Sequence, residues 1–447
     1  MGLDEAFECI ADVIPGDLKR FQRHIDPVWI DEALEATGTA TVRRRRLPAD
    51  QVVWMVLGMA LLRDEAIERV VDSLDLALPG REGLVAKSAI AQARQRLGDE
   101  PMAYLFAATA AAWAGKSADR HRWRGLALYG ADGTTLRVAD TTENRAAFGG
   151  QNAGSEKGES GYPLVRILGV MALRSHLLSA VRFADYRTGE VTLAEEIWRE
   201  LPDDSLTIVD RNFLVADHLT SLAGSGSNRH WLTRAKSTTR LKTVRRLGNR
   251  DELVEIELSD QTRRAHPELP PVWQARAITY QRKGFTPSVL LTSLLDAEQY
   301  PATELVGLYH ERWEVELGYD EIKTHMLARQ ETIRSKTAQG VRQEIWGIAI
   351  AYNLIRLEME RAADEAKVEP TRISFVYALS LVCREWQRAN APRAAYGNIP
   401  RDLATLRLNL KRLILPPRRS SRSFPRAVKL KMSNYARKRP ASSGAVK

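Results

Sequence analysis

GLALYGADGTTLRVAD, Gly125–Asp140, is where the chain changes character. Upstream, apolar residues recur at helical spacing; from here on they gather into short β-type runs. LALYGAD (Leu126–Asp132) is expected to form one strand and TTLRVAD a second, with Asp132 closing the first. Gly133 follows it, so the backbone there can approach a ligand closely. Further strands are expected at VRILGVMAL (Val165–Leu173), LLSAVRFADY (Leu177–Tyr186), SLTIVD (Ser205–Asp210) and RHWLTRAK (Arg229–Lys236). Helices are expected at Thr192–Leu201 and from about Phe213 to Ala223, before Gly224, Ser225 and Gly226. Hairpins followed by β/α alternation predict an α/β fold, a mixed sheet flanked by helices.

Upstream of Gly125 the pattern predicts a helix over Ala49–Leu74 and another in KSAIAQARQRLG, capped by Ser88 and ended by Gly98. Gln92, Arg94, Gln95 and Arg96 on the second suit a DNA groove, although an ordinary amphipathic surface helix carries the same residues. Arg43–Arg46 suits DNA phosphates or plain solvation. Downstream, residues 237–298 contain the strand-like LVEIELSD, ARAITYQR and SVLLTSLLD, which predict a β-rich insertion. Helical patterns return at Thr303–Leu327, Gln339–Ala366, Arg372–Arg388 and Arg401–Leu413.

Composition bounds the function. The 447 residues, 44% hydrophobic and 27% charged, suit two or three globular domains. The longest apolar run, Val52–Leu62, is too short to cross a bilayer. The start, MGLDEAFECIADVIPGD, is acidic and predicts no secretory signal. Cys9 and Cys383 lie far apart without metal-ligand neighbours, which argues against a disulfide framework or zinc ribbon and fits a reducing cytoplasm. The net charge is +10, yet 12 of the 66 Lys and Arg fall in Lys411–Lys447, a stretch without Asp or Glu. Residues 1–410 therefore hold 54 basic against 56 acidic side chains. Such a tail suits phosphate binding by counterion release, or is a solvated terminus.

The most informative helix is YHERWEVELGYDEIK, Tyr309–Lys323. At about 100° per residue, Tyr309, Arg312, Glu316 and Lys323 fall within an arc of about 60°. An i,i+4 pair explains Arg312 and Glu316, at a few tenths of a kcal/mol, but not the other two. Asp132 and Asp210 are carboxylates expected at strand ends. Two hard divalent cations clamping the attacking and leaving oxygens of a phosphodiester need such carboxylates. Asp140 and Asp185 compete with them on position alone.

Tyr309-x2-Arg312-x3-Glu316-x6-Lys323 resembles the Y-R-E-K signature of the insertion sequence 4 family of DDE transposases. DGTTLRVADT around Asp132, IVDRNF around Asp210, and IRSKT (Ile333–Thr337) before EIWGIAIAYNLIR agree with it. The resemblance spans about Gly125 to Arg356. It implies a ribonuclease-H-like catalytic core with a β-rich insertion before the Glu-bearing helix. Two Mg²⁺ or Mn²⁺ ions would be held by Asp132, Asp210 and Glu316. Arg312 and Lys323 would hold phosphates near the cleaved end, Tyr309 would touch the DNA backbone, and Trp313 is a further DNA-binding candidate. Trp273 in the insertion is a second aromatic candidate for a flipped base; Trp231 reads as packing, and Asp320 as surface charge.

The expected organisation is a helical, DNA-binding 1–115, a catalytic 120–370 with its insertion at about 237–298, C-terminal helices over 371–415 and a basic tail over 416–447. The expected activity is cleavage at element ends and transfer of the freed 3′-OH strand into target DNA. Expected partners are the terminal inverted repeats, target DNA and a second copy of the chain, in a cytoplasmic, nucleoid-associated setting without a membrane. The competing readings are a DNA-binding repressor that does not cut, and a ribonuclease-H-like nuclease without strand transfer.

Overall fold

The N-terminal region is helical. The computed structural model describes residues 25–40, 47–74, 76, 85–152, 159–258, 260–267, 269–282, 284–328, 332–388 and 406–416. The expectations for Cys9, for Arg43–Arg46 and for most of the basic tail lie outside these residues. α1 (Pro27–Ala36) starts at Asp26, whose carboxylate accepts from the Val28 amide at 3.0 Å. α2 (Ala49–Leu61) ends well before Leu74, and α3 (Ile67–Ser73) follows after a turn. The turn carries Arg63, buried against Glu344 and the Thr332 carbonyl; those distant partners, invisible to local periodicity, accompany the break. α4 (Lys87–Leu97) begins one residue before Ser88, on Ala86, and ends at Gly98 in the left-handed region. α5 (Glu100–Ala110) runs through a π turn into α6 (Lys116–Arg120).

β1 (Ala127–Val138) fuses the two expected strands into one. Asp132 therefore sits within a long strand, not at its end. Gly133 makes no turn: a Cβ there would stand 2.3 Å from the carboxyl carbon of Glu190, so the missing side chain makes room for that residue. α7 (Thr142–Phe148) and the two-residue pair β2 (Gln151–Asn152) and β3 (Glu159–Ser160) lead to β4 (Leu164–Ala172) and β5 (Leu178–Asp185). Next come α8 (Glu190–Trp198), β6 (Ser205–Val209), α9 (Ala216–Gly224) and β7 (Arg229–Arg234), close to expectation.

The 237–298 segment folds as β8 (Lys242–Gly248), β9 (Asp251–Glu257), the short α10 (Asp260–Ala265), β10 (Val272–Tyr280) and β11 (Ser288–Thr292). It does not fold apart from the core sheet. The order is β5-β4-β1-β6-β7-β11-β10-β9-β8, so the insertion extends the sheet outward from β7. β4 is antiparallel to β1 and to β5, whereas β6 runs parallel to β1 and to β7.

The expected single helix over Thr303–Leu327 is α11 (Ala302–Glu311) and α12 (Trp313–Asp320), joined at Arg312, then a π-helical segment, Glu321–Met326. After β12 (Thr332–Ile333), the 29-residue α13 (Ala338–Ala366) begins at Thr337, whose hydroxyl accepts from the Gly340 amide at 3.2 Å. α13 is buried on nearly every side, as a central helix must be. α2 and α5 pack on it, and one apolar core runs continuously from Ile25 to Leu410. A second core fills the other face of the sheet, where α8 and α9 cover Trp198, Phe213 and Trp231. α14 (Phe375–Arg388) starts three residues later than expected, after a 3-10 turn at Pro370–Arg372.

Candidate active site

Strand register assembles the first half of the site. Ala131 of β1 lies opposite Val209 of the parallel β6, so Asp132 and Asp210 follow side by side on neighbouring strands, about 5 Å apart at the backbone. α12 lies across β1 at close range. A Cβ on Gly130 would stand 2.5 Å from a Val315 methyl, and one on Gly169 would stand 2.8 Å from the Tyr319 hydroxyl. The Tyr319 hydroxyl donates to the Asp132 carbonyl at 2.6 Å, which fixes the helix carrying Glu316 to the strand carrying Asp132. Sequence reasoning missed Tyr319. The available signal was Gly169, a lone glycine inside an apolar strand, which often marks close approach.

Arg312 donates to Glu316 at 2.8 Å and to Asp132 at 3.4 Å, so its guanidinium occupies the space between those carboxylates. Lys323, on the π-helical segment, reaches the Thr134 hydroxyl at 3.5 Å, two residues along β1 from Asp132. Tyr309 is buried, which raises its hydroxyl pKa, and the nearby Asp210 carboxylate raises it further against the pull of Arg312. Trp313 is 42% exposed, with the Arg312 guanidinium 5.3 Å from its ring centroid. Asp320 is exposed, as expected.

The competitors are occupied. Asp140 is held by Arg145 at 2.5 and 2.8 Å, and Asp185 accepts from the Arg187 amide and the Thr188 hydroxyl. Trp273 packs on Trp231 with centroids 5.4 Å apart, which makes it a core partner rather than an open stacking surface. Arg94 corrects the groove expectation for α4. Its guanidinium is spent on Gln343, Ser335 and the Gly340 carbonyl at 2.9–3.0 Å, leaving Gln92, Gln95 and Arg96 exposed. Arg94→Ala is accordingly expected to lower thermal stability by about 1–3 kcal/mol through the buried partners it abandons. Its DNA salt dependence should stay that of the parent chain, and a flatter salt slope would restore a DNA role.

Three carboxylates supply the oxygen donors that hard divalent cations take. Burial pushes Asp132 up to about 6, against the Gly133 amide and Arg312, which both favour its ionised form. The protein alone thus undercompensates this charge, which fits a site completed by a cation. Among the described residues no three His, Cys, Asp or Glu are near enough to ligate one ion, and Arg312 stands where charge is needed. The donor types fit.

The strand order β5-β4-β1-β6-β7, antiparallel first and then parallel, defines a ribonuclease-H-like core. A family profile described as "Transposase DDE domain" matches residues 128–354, and one for the insertion element 4 transposase N-terminal region matches residues 15–107. The transposase InsG for insertion sequence element IS4 of Escherichia coli (strain K12) is 38% identical over 97% of this chain and 98% of its own length. A putative transposase of the same organism, InsZ, is 39% identical over 49% of this chain and 72% of its own. The solved piggyBac transposase synaptic complex with hairpin DNA covers 92% of this chain and 87% of its own, at 12% identity and a TM-score of 0.42. The chain belongs to the insertion sequence 4 family of DDE transposases. It is a DNA transposase, and its DNA-cleaving activity depends on divalent metal. No described helix is long and apolar enough to cross a membrane.

Proposed function

We propose that Asp132, Asp210 and Glu316 hold two divalent ions, Mg²⁺ or Mn²⁺, and that this site cuts element ends and joins the freed 3′-OH to target DNA. The observation that carries the reading is the β1–β6 register, which sets two carboxylates side by side beneath the helix bearing the third. When bound, the metal supplies charge stabilisation on the phosphodiester oxygens and activates the attacking hydroxyl. Asp132 and Asp210 would offer their oxygens to the two ions from the sheet, and Glu316 from α12. Arg312, with a planar fork, and Lys323, a point charge, hold phosphates beside the cleaved bond. Tyr309 contacts the backbone next to Asp210, and exposed Trp313 offers a ring to an unstacked base.

In this reading residues 1–115 contribute to end binding, residues 120–370 carry the chemistry with the insertion at about 237–298, and residues 371–415 support the core. The basic tail, 416–447, adds phosphate contacts. The chain works as a homodimer on paired terminal inverted repeats, in the bacterial cytoplasm at the nucleoid. The purified chain, given a divalent cation, a labelled duplex ending in the element's repeat and a plasmid target, is expected to give joined products carrying the label. Cut ends without joined product would favour the nuclease, and bound but uncut ends the repressor.

A further inference from the structure

Residues 236–250, KSTTRLKTVRRLGNR, hold six Lys and Arg and no acidic residue. Composition over longer stretches conceals this cluster, because it is balanced by acids elsewhere. The structure makes most of it β8, the last strand of the ten-stranded sheet, with nearly every residue exposed. Among the described residues no packing layer covers either face of β8. Lys242 and Arg246 are offset by Glu255 and Glu252 of β9, at 3.2 and 3.8 Å. Arg245 and Arg250 have no ion pair among the described residues, and both are exposed.

Register shows where these cations lie relative to the carboxylates. Arg234, at the end of β7 on the side of Asp210 and Tyr309, lies level with Leu290 of β11. Leu290 is level with Ile278 of β10, Ile278 with Asp251 of β9, and Asp251 with Gly248 of β8. The β8–β9 turn, with Arg250, therefore projects from the same end of the sheet as the site. Exposed Arg282 follows β10 at that end, and its charge adds to the lowering that burial imposes on His310. A row of cations thus leads away from the carboxylates along one edge: Arg234, Arg282, Arg250, Arg246 and Arg245.

We propose that this row is a track for duplex DNA phosphates, which guides the helix leaving the active site over the insertion. The inference rests on the DNA-cleaving reading of the site and adds a binding surface outside it. β8 is five strand spacings from β6, about 24 Å, or about seven base pairs at 3.4 Å each. Contacts at that distance position a duplex without touching the reacting bond. The ordinary alternative is that cations on an exposed edge strand discourage sheet-to-sheet association. That alternative leaves unexplained why Arg282, which is not on the edge strand, continues the row.

The test uses the full chain with Arg245, Arg246, Arg250 and Arg282 all changed to Gln, and a partner version with all four changed to Lys. Binding is measured without divalent metal, from about 50 to 200 mM salt, on three duplexes: the element end, the same end with flanking donor DNA, and unrelated target DNA. Each lost phosphate contact is expected to flatten the log-affinity against log-salt slope by about 0.9, so the Gln chain, with four contacts removed, should lose about 3.6 and the Lys chain little. The loss should shrink when the affected duplex is cut to fewer than about seven pairs from the cleavage point, and vanish below about four pairs, the reach of Arg282 beyond β10. The affected duplex identifies which DNA uses the track. Unchanged slopes on all three, or self-association of the Gln chain as the sole effect, would overturn the proposal. Because this readout needs no metal, it stands or falls separately from the carboxylate assignment.

Discussion

Asp132→Asn, Asp210→Asn and Glu316→Gln are each expected to lower strand cleavage by roughly 10³–10⁵-fold while end binding persists. An amide keeps the volume and most hydrogen bonding of a carboxylate but removes the anionic donor a hard cation requires. Metal stabilisation of the reacting phosphodiester is worth several kcal/mol, and about 1.4 kcal/mol is tenfold in rate, which gives that range. The three replacements should differ in what they do to Arg312. Glu316→Gln weakens its 2.8 Å partner and Asp132→Asn its 3.4 Å partner, whereas among the described residues Arg312 makes no bond to Asp210. Binding of the uncut end is therefore expected to tighten slightly in the first two variants, as the guanidinium becomes available to phosphate. A labelled-end gel time course with a parallel binding titration reads both effects. Metal-dependent cutting at the parent rate in any one variant would remove that residue from the site.

Arg356→Ala is expected to destabilise the fold by about 3–5 kcal/mol, a large part of the 5–15 kcal/mol a typical protein has. Arg356 is 1% exposed and donates to Glu321 and His176; the Tyr352 hydroxyl donates to Glu321 at 2.8 Å, and His176 meets Glu314 at 2.8 Å. Removing the guanidinium leaves the buried Glu321 carboxylate without its principal counter-charge. The pH dependence supplies a signature. Burial by itself would raise Glu321, yet Arg356, His176 and Tyr352 hold it down at about 2. A carboxyl depressed on folding contributes stability above its ordinary value, and the contribution is lost as pH falls from about 4.5 towards 2. In Arg356→Ala that acid limb should flatten or reverse, because burial then favours the neutral acid. Thermal unfolding between pH 3 and 7, set as the assay range, checks it; a loss below about 1 kcal/mol with an unchanged acid limb would show the cluster to be dispensable.

The parts of this molecule legible from sequence share one property: their determinants are local. β4, β5, β6 and β7 were marked by apolar β-type runs, and α13 by a long helical pattern. β8 was missed because KTVRRLG buries neither face and so shows no alternation. Asp132 was misplaced at a strand end because Gly133 reads as punctuation, when its purpose is to admit Glu190, 57 positions away in the chain. Arg94 looked like a DNA-reading residue because its partners, Ser335, Gly340 and Gln343, lie more than 240 residues distant. The Tyr309–Lys323 stripe was legible as spacing. Its actual path, broken at Arg312 and widened into a π segment, depends on contacts with β1 and α13 that no helical wheel contains.

The apolar core that joins α2 and α5 to α13 constrains how such a protein can change over time. Two sequence profiles divide the chain at about residue 115, as though its halves were separable parts. The core recognises no such seam: Met55, Leu57, Leu105 and Phe106 share it with Ile345, Ile348 and Ile355. A hybrid joining the first 115 residues of one relative to the remainder of another would bring together two half-interiors shaped for different mates. Misfit of a few methylenes typically costs 1–3 kcal/mol. Exchange of solvent-facing residues avoids that cost, and lineages of this fold should inherit both halves together.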